Sequence, residues 1–188
     1  MNEENTNEKK IFIRLNFPRI FIIVRCVATI PPLRSSSTMS RWYVPMACIE
    51  EDNMLKLKKE DYEKILEHAK AGLPNEACGL LGGYEENGNQ IVTDVYLLRN
   101  VDESREHFSM DPAEQLAVIK DIRSKGRTLL GNFHSHPESP SRPSKEDIRL
   151  AYDSKMHYLI LSLMEEQPVL NSFHIEKGNV TKEELTIE

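Results

Sequence analysis

The sequence predicts an α+β domain with a curved, mainly antiparallel or mixed sheet flanked by helices. Three observations carry that expectation. Apolar or alternating runs of strand length recur from residue 54 onward, several of them separated by Gly and Asn turns. Two longer segments place apolar residues at helical spacing and begin or end at capping signals. Strand-like and helix-like segments are mixed, but they do not alternate as repeated βα units, and no internal repeat is present.

The elements follow in order. Met54-Leu55-Lys56-Leu57-Lys58 alternates as a short edge strand. Residues 59–71 form a helix with Tyr62, Ile65, Leu66 and Ala69 on one face, closed by Gly72. After the turn Leu73-Pro74-Asn75, Glu76 opens a small-residue strand running to Gly83. The turn Asn87-Gly88-Asn89 leads back through residues 90–99 as a hairpin. A short strand over residues 107–110 precedes Asp111-Pro112, a cap followed by proline at the first helical position. The helix runs to about Ser124 with Leu116, Ile119 and Ile122 inward, and Gly126 stops it. Residues 127–133 form a strand, followed by a loop holding Pro137, Pro140 and Pro143. Ser144 opens a short helix ending near Tyr152. Residues 157–163, almost wholly apolar, form a central strand, and residues 168–175 and 180–187 supply one or two more around a Gly178-Asn179 turn.

Residues 1–53 differ in character. The first ten are polar and disorder-prone; residues 11–30 are rich in Ile, Phe and Val but broken by Arg14, Pro18, Arg19 and Arg25. No run approaches the roughly 18 apolar residues a spanning helix needs. Glu3, Glu4 and Glu8 stand where a signal peptide would be cationic. The linker-like Pro31-Pro32-Leu33-Arg34-Ser35-Ser36-Ser37-Thr38 follows. The expectation is a folded domain over residues 54–188, with residues 1–53 a disordered or separate extension and Met54 a candidate start. A formal charge of −6 argues against nucleic acid as the main partner. Cys26, Cys48 and Cys78 are odd in number and scattered, which fits a reducing cytoplasm rather than a disulfide framework.

The chemistry concentrates in His134-Ser135-His136-Pro137, Ser144 and Asp147. Histidines at i and i+2 point to the same side of a strand, and a carboxylate a short loop later supplies a third donor. Three donors without a fourth nearby is the arithmetic of a catalytic zinc site holding one ion, since a structural site closes its shell with four. Each residue also has a plainer reading. Asp147, taken alone, is first a helix-capping residue, because Ser144 is a good N-cap and Asp147 stands where a capping box puts its acid. His-x-His alone is a weak motif. His68, His107, His157 and His174 lack such company and read as non-ligands. Hydrolysis further needs a general base, and Glu76, opening an apolar Gly-rich strand, is the candidate; its plainer reading is an exposed strand end. Cys78 reads as a buried, inert thiol.

Glu76, His134-Ser135-His136-Pro137 and Ser144-Lys145-Glu146-Asp147 together resemble the JAMM motif of the JAB/MPN metalloprotease family. The flanking Asn75-Glu76-Ala77-Cys78-Gly79-Leu80-Leu81-Gly82, Ile148-Arg149-Leu150-Ala151 and His157-Tyr158-Leu159-Ile160 resemble compact bacterial members. The resemblance covers about residues 54–180. It implies a cytidine deaminase-like fold, zinc held by His134, His136 and Asp147, Glu76 as the base, and Ser144 as a hydrogen-bond donor to the water or the developing oxyanion. It also implies hydrolysis of a peptide or isopeptide bond at the C-terminal Gly-Gly tail of a ubiquitin-like sulfur-carrier protein. The alternatives are a non-catalytic MPN-type binding module, a RadC-like hydrolase, or a cell-wall peptide hydrolase. The expected location is the cytoplasm, without a membrane segment, and a homodimer is left open.

Overall fold

The computed structural model describes residues 54–188. The expectations for residues 1–53, including an extension outside the fold and a start at Met54, lie outside the described residues. β1 (Leu55–Leu57) leads into α1 (Lys59–Gly72), followed by the hairpin β2 (Cys78–Glu86) and β3 (Asn89–Leu98). Next come α2 (Pro112–Ser124), β4 (Thr128–His136), α3 (Lys145–Leu150) and β5 (His157–Ser162). β6 (Val169–Glu176), β7 (Asn179–Glu183) and β8 (Leu185–Ile187) complete the chain.

All the strands join one 8-stranded sheet in the order β7-β6-β5-β4-β2-β3-β1-β8. Pairing is antiparallel for β2 with β3, β2 with β4, β5 with β6 and β6 with β7. It is parallel for β1 with β3, β1 with β8 and β4 with β5. β7 and β8 lie at opposite edges, yet Glu184 alone separates them. Consecutive Cα atoms are about 3.8 Å apart, so the two edges must approach each other and the sheet curls strongly. The α+β expectation with a curved, mainly antiparallel sheet is met.

Apolar spacing explains the layers. Ile65 and Ala69 of α1 pack with Leu55, Leu57, Leu81, Phe133, Leu159 and Leu161 in the largest core cluster. On the other face, Val118 and Ile119 of α2 meet Cys78, Leu80 and Leu98, while Ile148 of α3 meets Tyr158, Ile160 and Phe173. Asp111 caps α2 by accepting from the Ala113 and Glu114 amides at 2.8 and 3.0 Å. The β2–β3 turn needs positive φ at Asn87 (52°) and Gly88 (79°), the residue pair such a hairpin favours.

Five sequence expectations are corrected. β1 is internal rather than an edge, because β8 pairs along it. Glu76 precedes β2 rather than opening it. No strand forms over 107–110: only a single bridge, Asn100 to Met110, is made, because the Asn100 side chain takes the loop's backbone bonds. Leu116 is 53% exposed, and Val118 packs inward in the α2 layer. The C-terminal stretch splits into three strands, and its turn lies at Lys177-Gly178 with Asn179 already in β7.

Candidate metal centre

Register builds this site. β2 and β4 run antiparallel with Cys78 opposite His134 and Gly79 opposite Phe133. Extended two residues, that register sets Glu76 opposite His136. Ser135, whose side chain points away from its neighbouring histidines, fixes the extension. Its amide donates to the Ala77 carbonyl and its hydroxyl accepts from the Ala77 amide, both at 2.9 Å. The third contributor arrives over the proline-rich loop. His136 Nδ1 donates to the Pro140 carbonyl at 3.0 Å, Ser141 donates to the Ile160 carbonyl and Ser162 to the Ser139 carbonyl, each at 2.7 Å. The loop so pinned delivers α3, whose first turn carries Asp147.

His134 Nε2 and His136 Nε2 face each other at 3.1 Å. Asp147 lies at 3.5 Å from the first through Oδ1 and 3.6 Å from the second through Oδ2. Zinc–nitrogen and zinc–oxygen bonds of 2.0–2.1 Å give a tetrahedral edge of about 3.3 Å, so the spacing of these three donors fits a zinc ion. Among the described residues this is the one group of His, Cys, Asp or Glu donors converging this closely. The proton on His136 Nδ1, required by its carbonyl partner, leaves Nε2 with a lone pair in the neutral ring. His134 is 2% exposed, stacked on Phe108 at a centroid distance of 4.7 Å. Its Nδ1 has no hydrogen-bond partner among the described residues.

Electrostatics sort the acids apart. Burial opposes the charge on Asp147, but His134, His136 and Ser144 outweigh it and hold the carboxyl well below the usual range. Glu76 is 4% exposed, with Oε1 3.9 Å from His136 Nε2. Burial pushes its carboxyl up to about 8; His136 opposes the rise and Asp147 adds to it. Burial drives His134 toward the neutral, ligating form. In His136 burial works the same way, but Asp147, the Pro140 carbonyl and Glu76 together raise it. A cation between these donors would draw Glu76 back down.

Ser144 is the N-cap. It accepts from the Asp147 amide at 3.1 Å while its own amide donates to Asp147 Oδ2 at 2.7 Å, a complete capping box. The cap uses a lone pair only, and the Ser144 O–H remains a donor, so capping and oxyanion binding are compatible. Cys78 is fully buried and its thiol is pushed up to about 12, by burial first and Glu76 second. His68 and His157 are engaged elsewhere, with the Leu98 carbonyl and Glu183.

Sequence reading missed three contributors. Ser135 lies between two conspicuous histidines, and strand alternation was its one available signal. Asn100 donates to the Glu76 and His107 carbonyls and accepts from the Asp102 and Ser109 amides, at 3.0 to 3.1 Å. Phe108 stacks on His134 from the same loop, and nothing in its local pattern marks it.

The architecture agrees with comparison to known proteins. The family described as prokaryotic homologs of the JAB domain matches residues 58–176. The chain belongs to this family. Among proteins similar to this JAB domain, the CysO-cysteine peptidase of Mycobacterium tuberculosis is 27% identical over 135 residues, 71% of this chain and 91% of that protein. The Desampylase of Haloferax volcanii is 35% identical over 113 residues, 57% of this chain and 80% of that one. A protein from Desulfitobacterium hafniense, solved in solution, shares 53% identity and superimposes with a TM-score of 0.67. That match covers 72% of this chain and 93% of that one.

Proposed function

We propose that this JAB-domain protein is a zinc-dependent peptidase. In this reading it hydrolyses a peptide or isopeptide bond at the C-terminal Gly-Gly tail of a ubiquitin-like sulfur-carrier protein. The observation that carries the reading is the buried Glu76 carboxylate, 3.9 Å from His136 Nε2, at the rim of a donor triangle of zinc dimensions. The relatives named CysO-cysteine peptidase and Desampylase support the substrate class.

His134, His136 and Asp147 would hold the ion. When bound, zinc supplies Lewis acidity toward a carbonyl and an acidified water near neutral pH. Glu76 takes one proton from the attacking water and delivers it to the leaving amine as the C–N bond breaks. The water oxygen and its second proton stay on the new carboxyl group, which then releases that proton and ionises near neutral pH. Ser144 donates its O–H to the oxyanion that develops on the scissile carbonyl, while its lone pair keeps the helix cap. Ser135 and Asn100 position Glu76 through the backbone that follows its side chain, at Ala77 and at the Glu76 carbonyl.

Residues 54–188 are assigned this activity. The free, buried Cys78 accords with a reducing cytoplasm, and no helix of the described residues is long and apolar enough to cross a membrane. The net charge of −6 accords with a protein rather than a nucleic-acid substrate. The test presents carrier–cysteine and carrier–peptide fusions to zinc-loaded protein. Cleavage after Gly-Gly that Glu76→Gln abolishes is the expected result. No cleavage, or cleavage indifferent to that change, overturns the assignment.

A further inference from the structure

The loop joining β3 to α2 forms a wall beside Glu76, and it is held there from several sides. The Ser104 carbonyl accepts from the Glu76 amide at 2.8 Å. Asn100 uses both of its donors and both of its acceptor lone pairs within this wall and on the Glu76 carbonyl. Phe108 lies flat on His134. Arg105 follows Ser104 directly, so its backbone is anchored next to the general base. Its guanidinium crosses to Glu138, the second residue after His136, through one contact of 3.4 Å. The pair therefore joins the wall that holds Glu76 to the segment that leaves the histidine motif.

That ion pair is poorly suited to a structural role. The side chains are 60% and 74% exposed, and a single long contact between exposed partners contributes little to stability. It is well suited to exchange. Arg105 offers a planar fork that fits a carboxylate bidentately, and Glu138 occupies only one prong of it. The surroundings call for such a cation. Glu106, Glu146 and Asp147 all place negative charge around the site and raise the Glu76 carboxyl. A substrate that brings a further carboxylate needs a counter-charge to enter.

We propose that Arg105 is a specificity-determining residue that binds the free α-carboxylate of a single amino acid leaving from the carrier tail, exchanging Glu138 for it. The inference rests on the peptidase reading and narrows its substrate to a carrier extended by one residue. In such a substrate the α-carboxylate carbon stands three bonds from the scissile carbonyl carbon, within about 4 Å. A longer leaving peptide replaces that charge with a neutral amide. Glu138 acts as an internal competitor, holding the arginine until a better-matched carboxylate arrives.

The test compares two substrates that differ only in charge: a Gly-Gly-ended ubiquitin-like carrier extended by cysteine, and the same carrier extended by cysteine amide. With zinc-loaded wild type, kcat/KM favours the acid by about tenfold or more, as a charge-assisted bidentate pair allows. Arg105→Ala removes the preference by slowing the acid alone. Glu138→Gln widens it by lowering KM for the acid. On zinc-loaded Glu76→Gln protein, the affinities of the same two carriers give the comparison without turnover. Equal treatment of acid and amide by the wild type in both assays overturns the inference, as does an Arg105→Ala effect equal on both substrates. Absent turnover with a retained preference in binding would instead sink the peptidase reading and leave the carboxylate site standing.

Discussion

Glu76 concentrates the residue-scale argument, because one side chain is both the proposed base and a burden on the fold. Its carboxyl titrates at about 8 in the metal-free protein against 4.5 in an unfolded chain, burial being the main cause. Between those values the native state holds the extra proton, so metal-free stability falls as pH rises from 4.5 to 8. Glu76→Gln removes that dependence. In urea titrations after chelation, the variant is more stable than wild type at pH 8, on the order of a few kcal/mol, and the gap closes toward pH 4.5. The same substitution lowers turnover by about 100-fold or more, while one zinc per chain is retained. Loss of zinc in the variant would mean that the carboxylate holds metal rather than moving protons. Cys78 makes the complementary case. With its thiol buried and pushed up to about 12, it stays unmodified by iodoacetamide at pH 8 and reacts only on unfolding, as peptide mass spectrometry would report.

At the scale of elements, β2 is a strand made thin so that others can close on it. A Cβ on Gly79 would lie 2.2 Å from the Tyr96 carbonyl oxygen and 2.3 Å from the Phe133 ring. Neither can retreat, since Tyr96 is backbone in β3 and Phe133 sits in the main core. Gly79→Ala is expected to cost about 1–3 kcal/mol or more by overpacking, read from the urea midpoint. Because Gly79 stands between Glu76 and the rest of the β2–β4 register, the variant also weakens zinc retention. The short α3 shows the opposite economy. Its capping box places Asp147 by two amide-to-side-chain bonds of 2.7 and 3.1 Å, so the helix start and the candidate metal centre share one construction. The plainer capping reading of Asp147 and its proposed ligand role are therefore two uses of the same residue.

At the scale of the whole described domain, the C-terminal strands hold the curled sheet closed. Glu183, at the end of β7, accepts from His157 Nδ1 and Ser172 Oγ, both at 2.8 Å, just before the chain crosses to the other sheet edge. Burial opposes its charge, but His157 and Ser172 outweigh that and hold the carboxyl below its ordinary 4.5. Its stabilising contribution is thus present above about pH 4.5 and is lost as pH falls through the depressed value. Glu183→Gln is expected to lower stability at pH 7 by about 1.5–3 kcal/mol, the range for hydrogen bonds to a charged group. The deficit shrinks on acidification below pH 4, measured by urea unfolding across pH. A zinc ion held by the proposed ligands His134, His136 and Asp147 would add a second brace, joining β4 to α3. At 100 times its dissociation constant, a native-state ligand stabilises by about 2.7 kcal/mol, so chelation lowers Tm. His134→Ala abolishes the difference between zinc-loaded and chelated protein.

Much of this was legible in the chain because it depends on short-range rules. Strand alternation put His134 and His136 on one side, Asp111-Pro112 marked the start of α2, and Asn87-Gly88 forced a hairpin with left-handed backbone. The face of α1 was readable from spacing alone. Other features depend on partners distant in sequence. Glu76 faces His136 because β2 and β4 pair in one register, a choice made by Gly79 accepting the Phe133 ring and by Ser135 clamping Ala77. The supposed strand at 107–110 is a loop because Asn100 takes its backbone bonds, and Leu116 turns outward while Val118 packs against the Cys78 and Leu80 layer. By itself the sequence determined the α+β class, the family and the three candidate donor residues, since residue identity, motif and local periodicity carry those. Only the tertiary structure decided that the donors lie 3.1 to 3.6 Å apart, that the buried Glu76 carboxyl lies 3.9 Å from His136 Nε2, and that Arg105 pairs with Glu138. Distances between segments are set by packing and register, which no local pattern encodes.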